Sequence, residues 1–195
     1  MPPVVIRSSR ARGSGFVEGH CDCRIVLFDN VPGRHQKTHK KRGIPMKQYH
    51  FHGWQEAANV HVKHPVYPGI ETPLDLYDRL EKLWCAQTCA PRLRPDWCES
   101  NRTLGQCSIT AFLAQDLFGG EVFGMATDNG GIHCYNRVDG IAFDLTDAQF
   151  GERAKDLVYD CSWLQDRESA AHFAKEEKRL RYEYLKSKLE FDKPL

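Results

Sequence analysis

The chain has 195 residues, 41% of them hydrophobic, and carries 27 Lys or Arg against 26 Asp or Glu for a net charge of +1. That length supports one core of ordinary size plus an extension rather than two full domains. The start MPPVVIRSSRARGSG holds no apolar run of the kind that directs secretion or crosses a membrane, so a cytoplasmic protein with reduced thiols is expected despite its eight cysteines.

The near-zero charge hides an asymmetry. Residues 1–70 hold eleven basic and four acidic side chains, a net of +7, and the remainder holds sixteen against twenty-two, a net of −6. Residues 1–15, rich in Arg, Ser, Gly and Pro, read as poorly ordered. The β-prone run Ile25-Val26-Leu27-Phe28 predicts a short strand within Arg24–Asp29, closed by the turn residues Asn30-Val31-Pro32-Gly33.

Beyond that turn lies GRHQKTHKKRG, the densest basic patch in the chain. Cys21, Cys23, His35 and His39 form a C-x-C, H-x3-H series that invites comparison with a zinc finger. One residue between the cysteines is too few, however, and Pro32-Gly33 would break the helix needed to present both histidines. A solvated basic loop is therefore the expectation, with those four residues kept as metal candidates. Nucleic-acid binding is not expected from so short a basic run.

A second histidine-rich stretch, His50, His52, His61 and His64, alternates with Tyr49, Phe51, Trp54 and Tyr67. It reads as an edge strand or a cap on the core, and metal ligation is the less favoured reading. Pro65, Pro68 and Gly69 suggest a boundary, with an irregular extension over 1–69 and a folded domain over 70–195. Thr72-Pro73-Leu74-Asp75 then has the hydroxyl, proline and acid of a helix start, and Leu76, Tyr77, Leu80, Leu83 and Trp84 supply an apolar face. Residues 90–102 read as a loop, and Trp97 in it is a candidate cleft wall. Cys85, Cys89 and Cys98 read as inert thiols rather than as a bridge or metal site.

The most informative stretch runs from Leu104 to Phe150. Ile109, Phe112, Leu113 and Leu117 recur at helical spacing between Gly105 and Gly119-Gly120, which predicts a helix over Cys107–Phe118. Cys107 then sits in a first helical turn, where free N–H groups and the helix dipole favour a thiolate and can hold a developing oxyanion. Strands are predicted over Glu121–Thr127, Ile132–Val138 and Ile141–Thr146, the last two joined by Asp139-Gly140. A two-residue loop pairs Val138 with Ile141 and brings His133 and Asp144 to one face within side-chain reach, whereas a bulged loop would separate them. Cys107, His133 and Asp144 are therefore a candidate triad, in which imidazole takes the thiol proton and the carboxylate orients the ring. Residues 167–190 predict a long charged helix with His172 on its surface. There is no internal repeat, phosphate-binding glycine loop or serine elbow, and no cofactor is implied.

The segment GQCSITAFLAQDLFGG, followed by HCYNRVDG and FDLTDAQF, resembles the YunG-like family of small uncharacterised proteins, over about the last 120 residues and none of the first 70. The resemblance implies an α+β, papain-like (NlpC- or transglutaminase-like) core in which a Cys-bearing helix packs on a small antiparallel sheet. It implies triad positions for Cys107, His133 and Asp144, with Gln106 and Asn136 lining or supporting the site. Cys134 departs from the family pattern, where an aromatic residue is usual, and sets a second thiol beside the first. The leading expectation is a cysteine-dependent enzyme acting on an unknown acyl or peptide-like substrate, by hydrolysis or transfer. The alternatives are a non-catalytic binding protein on the same fold, and a thiol- and His-rich zinc protein touching nucleic acid through its basic segment.

Overall fold

The computed structural model describes residues 47–63, 65–128 and 130–192. The strand expected over Arg24–Asp29, His64 and the metal candidates Cys21, Cys23, His35 and His39 lie outside them. Within them the architecture is α+β. The elements are α1 (Trp54–Ala57), α2 (Pro73–Leu83), a 3-10 turn (Pro91–Asp96), α3 (Cys107–Phe118), β1 (Glu121–Ala126), β2 (Ile132–Val138), β3 (Ile141–Phe143), a kinked 3-10 segment (Asp147–Asp156) and α4 (Glu176–Phe191).

The start of α2 follows from its sequence. Thr72 Oγ1 accepts from the Asp75 N–H while the Asp75 carboxylate accepts from the Thr72 N–H, so two otherwise unpaired donors are satisfied reciprocally, and Pro73 occupies a position whose N–H is not needed. Leu76, Leu80 and Trp84 bury their side chains against the core, and Trp84 Nε1 donates to Thr110 Oγ1 of α3 at 3.1 Å. α3 is enclosed on nearly every side: Ser108 through Ala114, Leu117 and Phe118 are all buried. That enclosure explains its largely apolar composition, broken at Gln115 and Asp116 on the open side.

The three strands form one antiparallel sheet in the order β1-β2-β3. Val138 pairs with Ile141, Arg137 with Ala142 and Asn136 with Phe143, so Asp139 and Gly140 are the two loop residues. Both take positive φ, +49° and +88°, as the twist of a two-residue hairpin requires. Asn136, in the middle of β2, donates from Nδ2 to the Ala111 carbonyl at 2.8 Å and locks the sheet to α3. Both sheet edges are covered. Gly124 N–H donates to the Trp163 carbonyl and Gln165 N–H to the Val122 carbonyl along β1, and Asp144 N–H donates to the His52 carbonyl just past β3. Such cover removes the free edge on which other chains could pair.

Three expectations are corrected here. The third strand ends at Phe143 instead of Thr146, because Asp144 turns to pair with His52 and Thr146 folds back on the Asp144 carboxylate. The last helix starts at Glu176, and residues 167–175 are turns. His172, in those turns, is fully buried against Phe112 rather than on the surface. Apart from these three, residues ahead of 70 join the packed core. Tyr49, Phe51, Ala57, Val60 and Tyr67 are buried in the same cluster as α2, α3 and α4.

Gly120 sits between α3 and β1 at φ +70°, where a Cβ would come within 2.3 Å of the Arg137 carbonyl oxygen, whereas Gly140 at φ +88° faces open space. Gly120→Ala should therefore lower the free energy of unfolding by about 3 kcal/mol and Gly140→Ala by only about 1 kcal/mol. Urea unfolding measures both, and equal losses would remove the close approach as the reason for glycine at position 120.

Candidate active site

Cys107 is the first residue of α3, and no side chain caps that helix end. Cys107 is half-buried, its thiol lies 3.8 Å from the Ile132 carbonyl, and His133 and Cys134 are the neighbours that act on its titration. β2 contributes these two partners in succession. Asp144, one residue beyond β3, completes the set: His133 Nε2 is 2.5 Å from Asp144 Oδ2, with both side chains 1% exposed. The hairpin register therefore brings together the three residues expected to form a triad. With Nε2 engaged by the carboxylate, Nδ1 is the other ring nitrogen, and Gln149 Nε2 lies 3.2 Å from it.

A carboxylate removed from water is costly unless its lone pairs are filled. Those of Asp144 are. Oδ2 accepts from His133 and from the Tyr159 hydroxyl at 3.0 Å, and Oδ1 accepts from Thr146 N–H at 2.9 Å and Thr146 Oγ1 at 3.0 Å. Tyr159 is held in turn by His52, stacked on its ring at 3.7 Å. Burial works against the charged form of Asp144, yet the charge and hydrogen bond of His133 and the bonds from Thr146 and Tyr159 hold its pKa below the ordinary carboxylate value. Burial likewise opposes the imidazolium, and the Asp144 charge and hydrogen bond outweigh it, raising His133 to about 10 with help from Cys107. Cys107 moves the other way. The hydrogen bond from the Cys134 thiol is the largest influence, and against burial it acts with the hydrogen bond and charge of His133 to bring Cys107 well below the usual thiol range. Cys134, the donor, is pushed well above it. Nearby Asp147, which accepts from His52 N–H at 2.8 Å, rises to about 7 through burial and the Asp144 charge. The favoured state is thus thiolate, imidazolium and carboxylate in a row.

The thiol and the ring open on a cleft of about 960 Å³. Its apolar walls come from Pro91, Leu93, Leu104, Met125 and Phe150, and Phe150 meets the His133 ring edge-on at 4.8 Å.

Three residues expected at the site have other places. Gln106 is fully buried and its Nε2 donates to the Cys85 carbonyl at 3.2 Å, away from the cleft lining. Asn136 spends its amide on Ala111, which supports the site only by holding β2 against α3. Trp97 donates to the Arg102 carbonyl and is not among the cleft residues. The amide at the cleft is instead Gln149. Its Nε2 lies 3.2 Å from His133 Nδ1 and donates to the Thr146 carbonyl at 2.9 Å, while Oε1 accepts from Gly105 N–H at 3.4 Å. A Gln-Phe pair five residues past Asp144 is visible in the sequence, but nothing local aims it at the ring. Tyr159 carries no local signal, and the alternation around His52 points to an edge strand without naming Asp144 as its partner. Among the described residues no group of three or more His, Cys, Asp or Glu could hold a metal ion, and no helix is long and apolar enough to cross a membrane.

Replacing Asp144 by Asn removes the largest influence that keeps the ring protonated and leaves only Cys107 to oppose burial. The His133 titration, followed by imidazole NMR, should fall from about 10 by roughly two units or more. A titration that stays near its wild-type position would show that the carboxylate does not govern the ring.

Comparison with known proteins adds a family to this geometry. The model of the YunG protein family matches residues 72–192. "Uncharacterized protein YunG" of Bacillus subtilis (strain 168) is 41% identical over 54 residues, which are 28% of this chain and 46% of that protein. The chain thus spans about half the length of the curated relative it matches, and no solved structure matches it. On a match that runs from the Thr72 cap of α2 to the end of α4, and so contains Cys107, His133 and Asp144, this chain belongs to the YunG family.

Proposed function

We propose that the chain is a cysteine-dependent acyl-bond hydrolase or acyltransferase of papain-like architecture. The observation that carries this reading is the 2.5 Å bond from buried Asp144 to His133, a ring that lines one cleft with the Cys107 thiol at the head of a buried helix. Structural histidines and cysteines seldom combine all four features.

In the proposed reaction Cys107 Sγ attacks the acyl carbon and forms a thioester, and the proton on His133 passes to the departing nitrogen, oxygen or sulfur. The ring, again neutral, takes a proton from water or an acceptor nucleophile, which attacks the thioester and returns the thiolate. Asp144 keeps the ring oriented and favours its charged form. The tetrahedral oxyanion falls to the first N–H groups of α3, since the Gln106 side chain is committed to Cys85. Gln149 fits a supporting part, holding the ring between the Gly105 loop and Thr146. The compartment of this reading is the cytoplasm, because a nucleophilic thiolate beside further thiols persists where disulfides are kept reduced.

The reading is tested by alkylation with iodoacetamide across pH, the modified sites being located by peptide mass spectrometry. Cys107 should react fastest, with a rate that stays level through neutral pH because its pKa lies well below the usual thiol value. In His133→Ala the dependence should move to alkaline pH, the rate at pH 6 dropping roughly tenfold for each unit by which the thiol pKa comes to exceed that pH. Uniform slow labelling of all cysteines in the wild-type protein would end the proposal.

A further inference from the structure

The rim of the cleft facing the thiol is built by α4 and by the loop before α3, and its charges are unevenly paired. Arg153 is paired with Asp128, and Arg181 with Glu177 at 2.6 Å. Those four cancel. Three further cations line the cleft: Arg92 and Lys175, both exposed and without a carboxylate partner among the described residues, and Lys178. Against them stands Asp156 alone.

Lys178 is the informative one. It is half-buried, and its Nζ donates to the Ala171 carbonyl at 2.6 Å and to His172 Nδ1 at 3.2 Å. His172 is fully enclosed and its Nε2 faces Gln165 Oε1 at 3.0 Å, which fixes the tautomer that leaves Nδ1 free to accept. Burial brings His172 down to about 4, so this ring stays neutral and serves as an acceptor for the ammonium rather than a competing cation. A buried histidine and a backbone carbonyl thus use two of the three donors of a lysine that lines the cleft, and neither supplies a negative charge. Burial makes its ammonium costly, and the sulfurs of Cys134 and Cys107 offset that only in part. An anion arriving in the cleft would offset that cost, and Arg92 and Lys175 at the rim would draw it in.

Resting on the cysteine-enzyme reading, we propose that the substrate is an acyl compound bearing a carboxylate, which Lys178 receives with Arg92 and Lys175 while the acyl carbon lies at Cys107. A single remaining donor on Lys178 and the net charge of about +2 left by three cations and Asp156 suit a monoanion better than a phosphate dianion.

Two alkylating agents that differ only in charge test this: iodoacetate, which carries the carboxylate, and neutral iodoacetamide. At low salt the ratio of their rates at Cys107 should exceed the ratio at a simple cysteine peptide by about fivefold, and should fall toward the peptide value at high salt. Lys178→Met should lower the ratio and leave only the part that the His133 imidazolium supplies. If that variant does not fold, the surface double variant Arg92→Ser, Lys175→Ser should lower the ratio and weaken its salt dependence. A wild-type ratio equal to that of the peptide, with Cys107 still the fastest thiol toward iodoacetamide, overturns the carboxylate site and leaves the enzyme reading standing. Slow reaction of Cys107 with both agents overturns the enzyme reading itself. Protection of Cys107 from iodoacetate by inorganic phosphate but not by acetate would transfer the site to a phosphate and also overturn the assignment.

Discussion

The bond between His133 and Asp144 joins two groups that burial alone would leave uncharged, and each supplies the reason the other is ionised. An isolated carboxylate at this depth would take up a proton, and an isolated ring would lose one. Together, with the remaining carboxylate lone pairs filled by Thr146 and Tyr159, they form a fixed positive pole behind Cys107. The α3 dipole points the same way, but a helix terminus alone contributes far less than a charged partner in contact. The low pKa of the thiol therefore rests first on the hydrogen bond from Cys134 and then on the His133 ring, whose charge the carboxylate on its far side maintains.

Much of the remaining architecture can be understood as holding that carboxylate in place. β3 is only three residues long and stops one residue short of Asp144, so the sheet itself cannot fix the side chain. The fixing comes from three other directions. His52 pairs with the Asp144 backbone from the amino-terminal segment, Thr146 closes over Oδ1, and Tyr159, stacked under His52, reaches Oδ2. This explains why residues 47–69 pack into the same core as the family-matched stretch: they carry the edge partner on which the site depends.

How much of this is legible in the sequence varies with the range of the interaction that decides it. The limits of α3 are local, since Gly105 and Gly119-Gly120 bracket an apolar period, and the helix is found over the expected residues. The hairpin is local too: Asp139-Gly140 dictates a two-residue loop, the loop dictates register, and register delivers His133 to Asp144. Gln106 shows where local reading fails. Adjacency to Cys107 suggests a role at the site, yet the first turn of a helix sends successive side chains in different directions, and this one goes to Cys85. Gln149 and Tyr159 reach the triad through folding back of irregular segments, for which no periodicity exists to be read. His172 departs from the expected surface position for a related reason: helical phasing does not extend through residues 167–175, where the chain forms turns that bury the ring.

The burial of the three groups follows the order in which the proposed chemistry would use them. Asp144 and His133 are almost wholly enclosed, His133 still borders the cleft, and Cys107 is the most open of the three. A charge that must persist unchanged benefits from a low-dielectric setting once it is paired, because there its influence on a neighbour is least screened. A nucleophile needs the opposite, a face that a substrate can approach. Placing the carboxylate deepest, the ring across the boundary and the sulfur at the opening satisfies both conditions with one short row of atoms, and Lys178, held by an equally buried histidine, extends the row into the cleft itself. An acyl group entering there would meet positive charge on two sides of the sulfur. The same charges would favour the thiolate before binding and a carboxylate-bearing substrate during it.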